Sequence, residues 1–210
     1  MVLFFVMNTV AFSQQKQLYS NEINVQNLQF ITNNLDDIII ENSETEKLEI
    51  ILENDNTIPI NIDTKEVNNE LIVSFLKEEG LNPNTTVFRK YITKRLERAR
   101  VLIKIPKKRN LEVYGGTVGV YSKGYAGNLN VYIEKGNVRL GKIEGITVVK
   151  LFLGNVYAEV SNTDLILKTT NGIVKINNKE KKKNFQESHQ DNPFKLSVNS
   201  INANIYLTKK

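Results

Sequence analysis

The sequence predicts an all-β fold in which a meander of short strands runs into a stack of two-strand repeats. Three observations support this prediction. Apolar residues alternate with polar ones, turn-forming residues separate the alternating stretches, and one apolar pattern recurs every 18 residues in the second half of the chain. With 210 residues, 40% of them hydrophobic and 24% charged, the chain has the size and composition of one globular domain.

The first thirteen residues are expected to be an export signal. Met1 to Val10 is apolar except for Asn8, and the triplet Ala11-Phe12-Ser13 leads into polar residues, which is typical of a signal peptide cleaved after Ser13. No Lys or Arg precedes the run, so either the true start lies upstream or the run is a buried strand; its lack of alternation favours the signal. The run is shorter than the ~20 apolar residues of a transmembrane helix, and we expect no transmembrane span.

Residues 14–34 are interpreted as an N-terminal segment and residues 35–210 as a single domain, of which 35–110 form a strand meander and a basic loop. Alternating apolar residues predict the strands of the meander. These residues are Ile38 and Ile40; Leu48, Ile50 and Leu52; Ile58, Ile60 and Ile62; Leu71, Val73 and Phe75. Residues 81–100 break the alternation, and Pro106 ends the next strand because it cannot donate to a ladder.

Residues 111–210 contain the repeat. Its template Leu111, Val113 and Val120 recurs at steps of 18 and then at one step of 31, in the sets Leu129, Val131, Val138; Thr147, Val149, Val156; Leu165, Leu167, Val174; and Leu196, Val198, Ile205. Units this short cannot bury an apolar face alone, so they must stack with like residues above like. This predicts a β-solenoid or flattened β-roll, with an antiparallel β-sandwich of hairpins as the alternative.

Glycines mark the predicted corners of the repeat. Gly136, Gly154 and Gly172 share one column of the alignment, with Ala203 in the last unit, and a corner between two strands is a position where positive φ is needed. The motif Gly115-Gly116-Thr117-Val118-Gly119 is interpreted as another corner. It is not a phosphate-binding loop, because no Lys-Ser/Thr pair completes it.

The step of 31 contains 13 extra residues, which fall in the insertion 179–192. Its run Lys179-Glu180-Lys181-Lys182-Lys183 is costly to bury, and only Phe185 offers apolar surface. We predict that this insertion is a mobile protrusion that neither supports the fold nor carries chemistry.

The residue inventory argues against an enzyme. The chain has no Cys and a single His, His189, so the usual nucleophile-base pairs and thiolate or histidine metal sites cannot be assembled. Neighbouring carboxylates such as Asp36-Asp37 point to opposite faces of a strand, and the acids of the repeats fall in different columns. We therefore predict no catalytic residues, no metal site and no cofactor.

A basic segment is the strongest candidate for binding. We predict an anionic-surface patch formed by Arg89, Lys90, Lys94, Arg95, Arg98 and Arg100. The alternative is a solvated loop and strand face, neutralised by residues 21–80, which carry a net charge of −11 against +15 for residues 81–210. The acidic and basic stretches are expected to lie against each other or on opposite faces. Nucleic acid is not expected as a partner, because the segment has few aromatic residues.

Tyrosines gather in the repeats, at positions 114, 121, 125, 132 and 157. Tyr132 lies between the inward residues Val131 and Ile133 and is therefore expected to face outward. A row of exposed tyrosines beside Lys and Arg suits recognition of a sugar or a protein. Packing between neighbouring strands explains the same pattern.

Several of these motifs together resemble a known family. The run Val101-Leu102-Ile103-Lys104-Ile105-Pro106, followed by Leu111-Glu112-Val113 and by Gly-Asn-Val and Asn-Gly-Ile turns, resembles a family of bacterial proteins that are provisionally named adhesins. The resemblance covers about residues 35–210. It implies an exported, β-helical protein of the cell envelope, related in style to the head domains of autotransporter adhesins, and it supplies no catalytic residue.

The sequence thus predicts a non-enzymatic, adhesin-like interaction protein exported to the periplasm, the outer cell surface or the medium. Its expected partner is a surface polymer or another envelope protein. A polysaccharide-acting enzyme built on a β-helix and a periplasmic structural or sensing module are the alternatives.

Overall fold

A computed structural model describes residues 15–55, 58–78, 99–188 and 192–210 of the chain. These residues form sixteen β-strands that belong to one hydrogen-bonded network, and the part so described contains no helix. The strands are β1 Gln15–Glu22, β2 Asn27–Ile31, β3 Asp37–Asn42, β4 Lys47–Asn54, β5 Ile60–Val67, β6 Glu70–Lys77, β7 Ala99–Ile105, β8 Asn110–Thr117, β9 Gly119–Ser122, β10 Asn128–Lys142, β11 Ile146–Val160, β12 Thr163–Thr169, β13 Val174–Ile176, β14 Lys179–Lys181, β15 Asn184–Glu187 and β16 Phe194–Lys209. The predicted all-β class is confirmed, whereas the predicted signal peptide, residues 1–13, lies outside the described residues.

Three long strands, β10, β11 and β16, join two rows of strands. The first row, arm A, has the order β5-β6-β2-β8-β10-β11-β16-β12-β15, and the second row, arm B, has the order β1-β4-β7-β3-β9-β10-β11-β16-β13-β14. The first half of each long strand lies in arm A and the second half in arm B. Along β10 the buried positions change from odd numbers, such as Val131, to even numbers, such as Val138, across Gly136, so both halves face one core.

Successive units of the repeat pair in parallel at the predicted step of 18. Leu111 of β8 pairs with Leu129 of β10, which pairs with Thr147 of β11. In arm B, Val120 of β9 pairs with Val138, which pairs with Val156. Parallel pairing in register is what brings like residues together here, because each strand meets the equivalent position of its neighbour.

The last two units are stacked in a different order from their order in the sequence. Strand β16 lies between β11 on one side and β12 and β13 on the other, and it is parallel to all three. Val149 therefore pairs with Val198, and Val198 pairs with Leu167. The prediction that Val131, Val149 and Leu167 share one buried ladder is confirmed, with Val198 inserted between the last two.

The predicted N-terminal meander is correct only in part. Strands β5 and β6 are consecutive in the chain and pair antiparallel, as a meander requires. Strand β4 also pairs antiparallel, but with β1 and β7, which are not its neighbours in the chain. Strands β2 and β3 instead pair in parallel with β8 and β9, so that Leu28 meets Leu111 and Ile38 meets Val120. Strands β6 and β7 add a further parallel level on β2 and β3.

Four columns of buried residues run through the stack and form its core. From the N-terminal end of the stack they are Leu71, Leu28, Leu111, Leu129, Thr147, Leu196, Leu165; Val73, Phe30, Val113, Val131, Val149, Val198, Leu167; Val101, Ile38, Val120, Val138, Val156, Ile205, Val174; and Ile103, Ile40, Ser122, Leu140, Ala158, Leu207, Ile176. All of these residues are buried. Thr147 is the polar member of its column, as the sequence indicated.

Close backbone contacts explain the corner glycines. Gly136 and Gly154 have φ of 155° and 145°, which confirms the predicted positive φ at these two corners. A Cβ atom on Gly154 would lie only 1.7 Å from the carbonyl oxygen of Gly136. At Gly172 the reason is space, since a Cβ atom there would lie 1.9 Å from the carbonyl oxygen of Ala203.

Two strands of the insertion, β14 and β15, are part of the sheet, and the prediction that the insertion merely protrudes is wrong. Strand β14 pairs antiparallel with β13, and β15 pairs antiparallel with β12. Phe185 lies opposite Leu167 and packs against the core. The insertion therefore covers the open edges of the last level in both arms, and antiparallel strands also close the N-terminal end of the stack.

Truncation of the central ladder tests this packing. Val149→Ala is expected to lower the free energy of unfolding by about 2 kcal/mol, because it removes two methyl groups from a fully buried site between Val131 and Val198. Chemical denaturation measures the change. Val148→Ala, at the outward neighbouring position of the same strand, is the control and is expected to cost less than about 0.5 kcal/mol. Equal effects of both changes would contradict the assigned register.

Candidate functional site

The structure describes only one of the six basic residues that were predicted to bind an anionic surface. Arg89, Lys90, Lys94, Arg95 and Arg98 lie outside the described residues. Arg100 lies on β7, where its Nε donates to the Glu53 carboxylate at 2.6 Å, and this hydrogen bond raises the pKa of the guanidinium. The charge of Arg100 is thus already matched by a neighbouring strand, and the rest of the patch stays a prediction.

Acidic residues of the first half pair with basic residues of the second. Besides Arg100 with Glu53, the ion pairs are Lys104 with Glu49, Arg109 with Glu46 and Lys123 with Glu41. The expectation that the two charged stretches lie against each other is confirmed for these residues. Such pairs near the surface contribute little to stability, but those of Glu41, Glu49 and Glu53 neutralise charges on the outer face of arm B.

The outward tyrosines stack on one another across the strands. Tyr114 and Tyr132 have ring centroids 5.1 Å apart, and Lys150 lies over the Tyr132 ring. On arm B the centroids of Tyr157 and Tyr206 are 5.2 Å apart, with Arg139 over the Tyr157 ring. Neighbouring side chains therefore cover these ring faces, which favours packing between strands over sugar stacking.

Two other tyrosines of the predicted row have different environments. Tyr121 faces outward on β9 beside Asp37, and burial of the Asp37 carboxyl raises its pKa. Tyr125 is buried, and its hydroxyl donates to the backbone carbonyls of Pro106 and Arg109. Burial raises the pKa of the Tyr125 hydroxyl, and this tyrosine supports the turn after Ser122 instead of forming a surface.

The outer face of arm B carries an apolar row that the sequence does not reveal. The row crosses eight paired strands from β1 to β16, at the residues Leu18, Ile51, Leu102, Ile39, Tyr121, Arg139, Tyr157 and Tyr206. It is about 34 Å long, since neighbouring strands lie ~4.8 Å apart. Leu18 is 68% exposed and Tyr157 is 37% exposed. We call these eight residues the arm B row.

The matching row on arm A is mostly polar. It consists of Ile72, Gln29, Glu112, Asn130, Val148, Ser197 and Ile166. The outer faces of both arms are built from paired β-strands. Strand formation alone therefore does not explain why only the arm B row is nearly all apolar.

A cleft of about 420 Å³ lies on the outer face of arm A, and we call it the asparagine cleft. It is lined by Asn27, Glu70, Asn110, Glu112, Asn128, Asn130 and Ile146. The Asn110 amide donates to Asn27 Oδ1 at 2.8 Å, the Asn128 amide donates to Asn110 Oδ1 at 2.9 Å, and Asn128 Oδ1 accepts from the Ile146 backbone. Parallel stacking creates this ladder because it places like amides above one another.

Glu112 is held in a fixed orientation inside the cleft. Its Oε1 accepts from the Asn130 amide at 3.0 Å, and its Oε2 accepts from the Tyr114 hydroxyl at 2.6 Å. The second hydrogen bond raises the pKa of Tyr114 to about 12. The Glu112 carboxylate is therefore held in one position, and the only other carboxylate in the cleft lining is that of Glu70.

Other features offer no catalytic arrangement. A second groove of about 400 Å³ lies near the arm A corner and is bordered by exposed Phe152 and Ile201. Within the described ranges, no group of three or more His, Cys, Asp or Glu residues could hold a metal ion. The same part of the chain contains no helix with the length and apolar character of a membrane span.

These features define an all-β protein made of stacked parallel levels with extended outer faces. No family model and no curated protein matches the chain in sequence. Among solved structures, it is similar to a protein of Clostridium sporogenes ATCC 15579 that is provisionally described as a cell adhesion protein, with a TM-score of 0.57 and 10% identity over 94% of this chain and 100% of that chain. A protein of Bacteroides fragilis NCTC 9343, provisionally described as an adhesin, aligns with a TM-score of 0.31 and 13% identity over 95% of this chain and 99% of that chain. The first comparison shows a shared fold.

Proposed function

We propose that this protein is a non-enzymatic, exported, adhesin-like interaction protein of the bacterial cell envelope, built as a β-solenoid. The fold that it shares with the Clostridium sporogenes protein supports the adhesin-like role, and the apolar segment at residues 1–13 supports export. The arm B row is the observation that carries the proposal.

The arm B row has the composition of a protein interface. Apolar and aromatic side chains form its centre, and ion pairs such as Arg100 with Glu53 and Lys104 with Glu49 lie on either side of it. A centre rich in Tyr and Leu with a charged rim is the usual arrangement of a protein contact. Leu18 and Tyr157 are exposed and the other apolar members of the row are half-buried, so a partner could remove further apolar surface from water.

Another envelope protein is therefore the partner that we propose for this face. A surface polymer is the second candidate, because the basic residues 89–98 would attract an anionic chain. A polysaccharide-acting enzyme is less well supported: Glu70 and Glu112 both line the cleft, but both oxygens of Glu112 already accept hydrogen bonds from Asn130 and Tyr114. A periplasmic structural or sensing module would use the same surface, and neighbouring genes would separate it from an adhesin.

Binding to bacterial envelopes tests the proposal. Leu102→Ser is expected to weaken binding of the labelled protein to isolated envelopes of its source bacterium about tenfold, because it places a hydroxyl at the centre of the arm B row. Flow cytometry on intact cells measures the same interaction if the partner is at the surface. Pretreating the envelopes with protease should abolish binding.

Ile72→Ser is the matched control for this experiment. Ile72 is an outward isoleucine of β6 within the polar face of arm A, and its substitution should leave envelope binding unchanged. Binding by the wild type that is insensitive to both protease and Leu102→Ser would contradict a protein partner at the arm B row.

A further inference from the structure

The asparagine cleft retains unused hydrogen-bonding capacity after its internal contacts are counted. Each amide of Asn110 and Asn128 donates one N–H along the ladder and keeps a second N–H. Among the described residues, the Asn27 amide nitrogen donates no hydrogen bond, and the Glu70 carboxylate accepts none. The cleft therefore presents amide donors and a carboxylate acceptor side by side.

The acids of the cleft differ from four paired acids of the first half of the chain. Glu41, Glu46, Glu49 and Glu53 each have a Lys or Arg partner. The cleft contains Glu70 and Glu112, and its lining includes no Lys, Arg or His. An anionic ligand would be repelled, whereas hydroxyl groups can donate to the carboxylates and accept from the amides.

The shape of the cleft also suits a small polar ligand. Its volume of about 420 Å³ lies within the usual range for ligand sites, about 300 to 1,000 Å³. Ile146, which is 49% exposed, provides an apolar surface at one end. A sugar ring has C–H groups for such a surface and hydroxyl groups for the amides and carboxylates.

We infer that the asparagine cleft binds uncharged glycans, with Asn27 and Glu70 as the main contacts to sugar hydroxyls. This site is separate from the arm B row and uses different chemistry. The protein would then contact a neutral carbohydrate through arm A, and the inference holds whether or not arm B binds a protein.

The experiment uses titration calorimetry of the purified protein, in EDTA, against neutral oligomers of glucose, mannose, galactose, xylose and N-acetylglucosamine and against oligogalacturonate. At least one neutral oligomer should bind, and oligogalacturonate should bind more weakly. Asn27→Ala and Glu70→Gln should each weaken the binding of that neutral oligomer about tenfold, as expected for the loss of a hydrogen bond to a sugar.

Two variants serve as matched controls. A second ladder of asparagine amides runs from Asn204 through Asn155 to Asn137, next to the corner glycines. Asn137 Oδ1 accepts the last hydrogen bond of this ladder, so Asn137→Ala removes a structural contact equivalent to the one lost in Asn27→Ala. Glu134→Gln removes one carboxylate from the same face outside the cleft. Both should retain full affinity for the sugar.

Several results would overturn the inference. These are no binding of any neutral oligomer at millimolar concentration, preference for oligogalacturonate, or equal losses in the cleft variants and their controls. Binding that requires added Ca²⁺ would replace direct recognition by a cation bridge and would overturn it as well. Envelope binding through Leu102 is measured separately, so failure of the glycan inference leaves the proposed function standing.

Discussion

Gly154→Ala is expected to lower the free energy of unfolding by about 3 kcal/mol or more, because Gly154 has the closest contact for an added Cβ among the described glycines. The added Cβ would lie 1.7 Å from the carbonyl oxygen of Gly136, and the backbone of both glycines is held in place by the pairing of β10 with β11. The φ of 145° adds strain for any residue with a side chain. Relieving the contact requires the parallel levels to separate at the corner.

Chemical denaturation of Gly154→Ala and of a control measures this effect. Gly116→Ala is the control, since its Cβ would meet nothing closer than the flexible Glu134 carboxylate at 3.8 Å. The control should stay within about 0.5 kcal/mol of the wild type. If Gly154→Ala were as stable as the control, the corners could not be stacked as closely as described.

Deleting residues 180–192 is expected to destabilise the protein by about 3 kcal/mol and to promote aggregation. The deletion restores the step of 18 between the last two units, yet it removes β15 and most of β14, which pair with β12 and β13. It also removes Phe185, which packs against the core. The open edges of the last level would then be free to pair with other chains.

A thermal melt combined with light scattering measures both consequences of the deletion. Point variants separate packing from pairing. Phe185→Ala should lower the melting temperature, whereas Gln186→Ala, at the outward position of the same strand, should leave it nearly unchanged. A deletion variant with wild-type stability and no aggregation would show that the insertion pairs with the sheet without supporting it.

Much of the repeat could be predicted because parallel strands in register preserve sequence spacing. Leu129 and Thr147 are 18 residues apart and are direct neighbours, so the period of the stack appears in the chain. The level formed by β2 and β3 could not be found from the repeat period. Leu28 pairs with Leu111 across a long excursion, and no fixed step in the sequence connects them.

The candidate surfaces show the same division. Asn110 and Asn128 are one repeat apart, so the period of 18 would place them in one column, although they were not predicted as a site from the sequence. Asn27 and Glu70 join that column only through the pairing of β2 with β6 and β8. The arm B row was not predicted because its residues come from strands whose order in space differs from their order in the chain.

The sequence by itself determined the all-β class, the inward positions of the repeat and the corner glycines, because alternation and close backbone contact are local requirements on residue type. Only the tertiary structure decided that β16 enters between β11 and β12, that β2 and β3 join the stack, and that residues 179–187 cover its edge. The physical reason is that strands with the same inward aliphatic pattern fit any level of the stack equally well. Strand length, chain connections and the need to cover open edges then select the order.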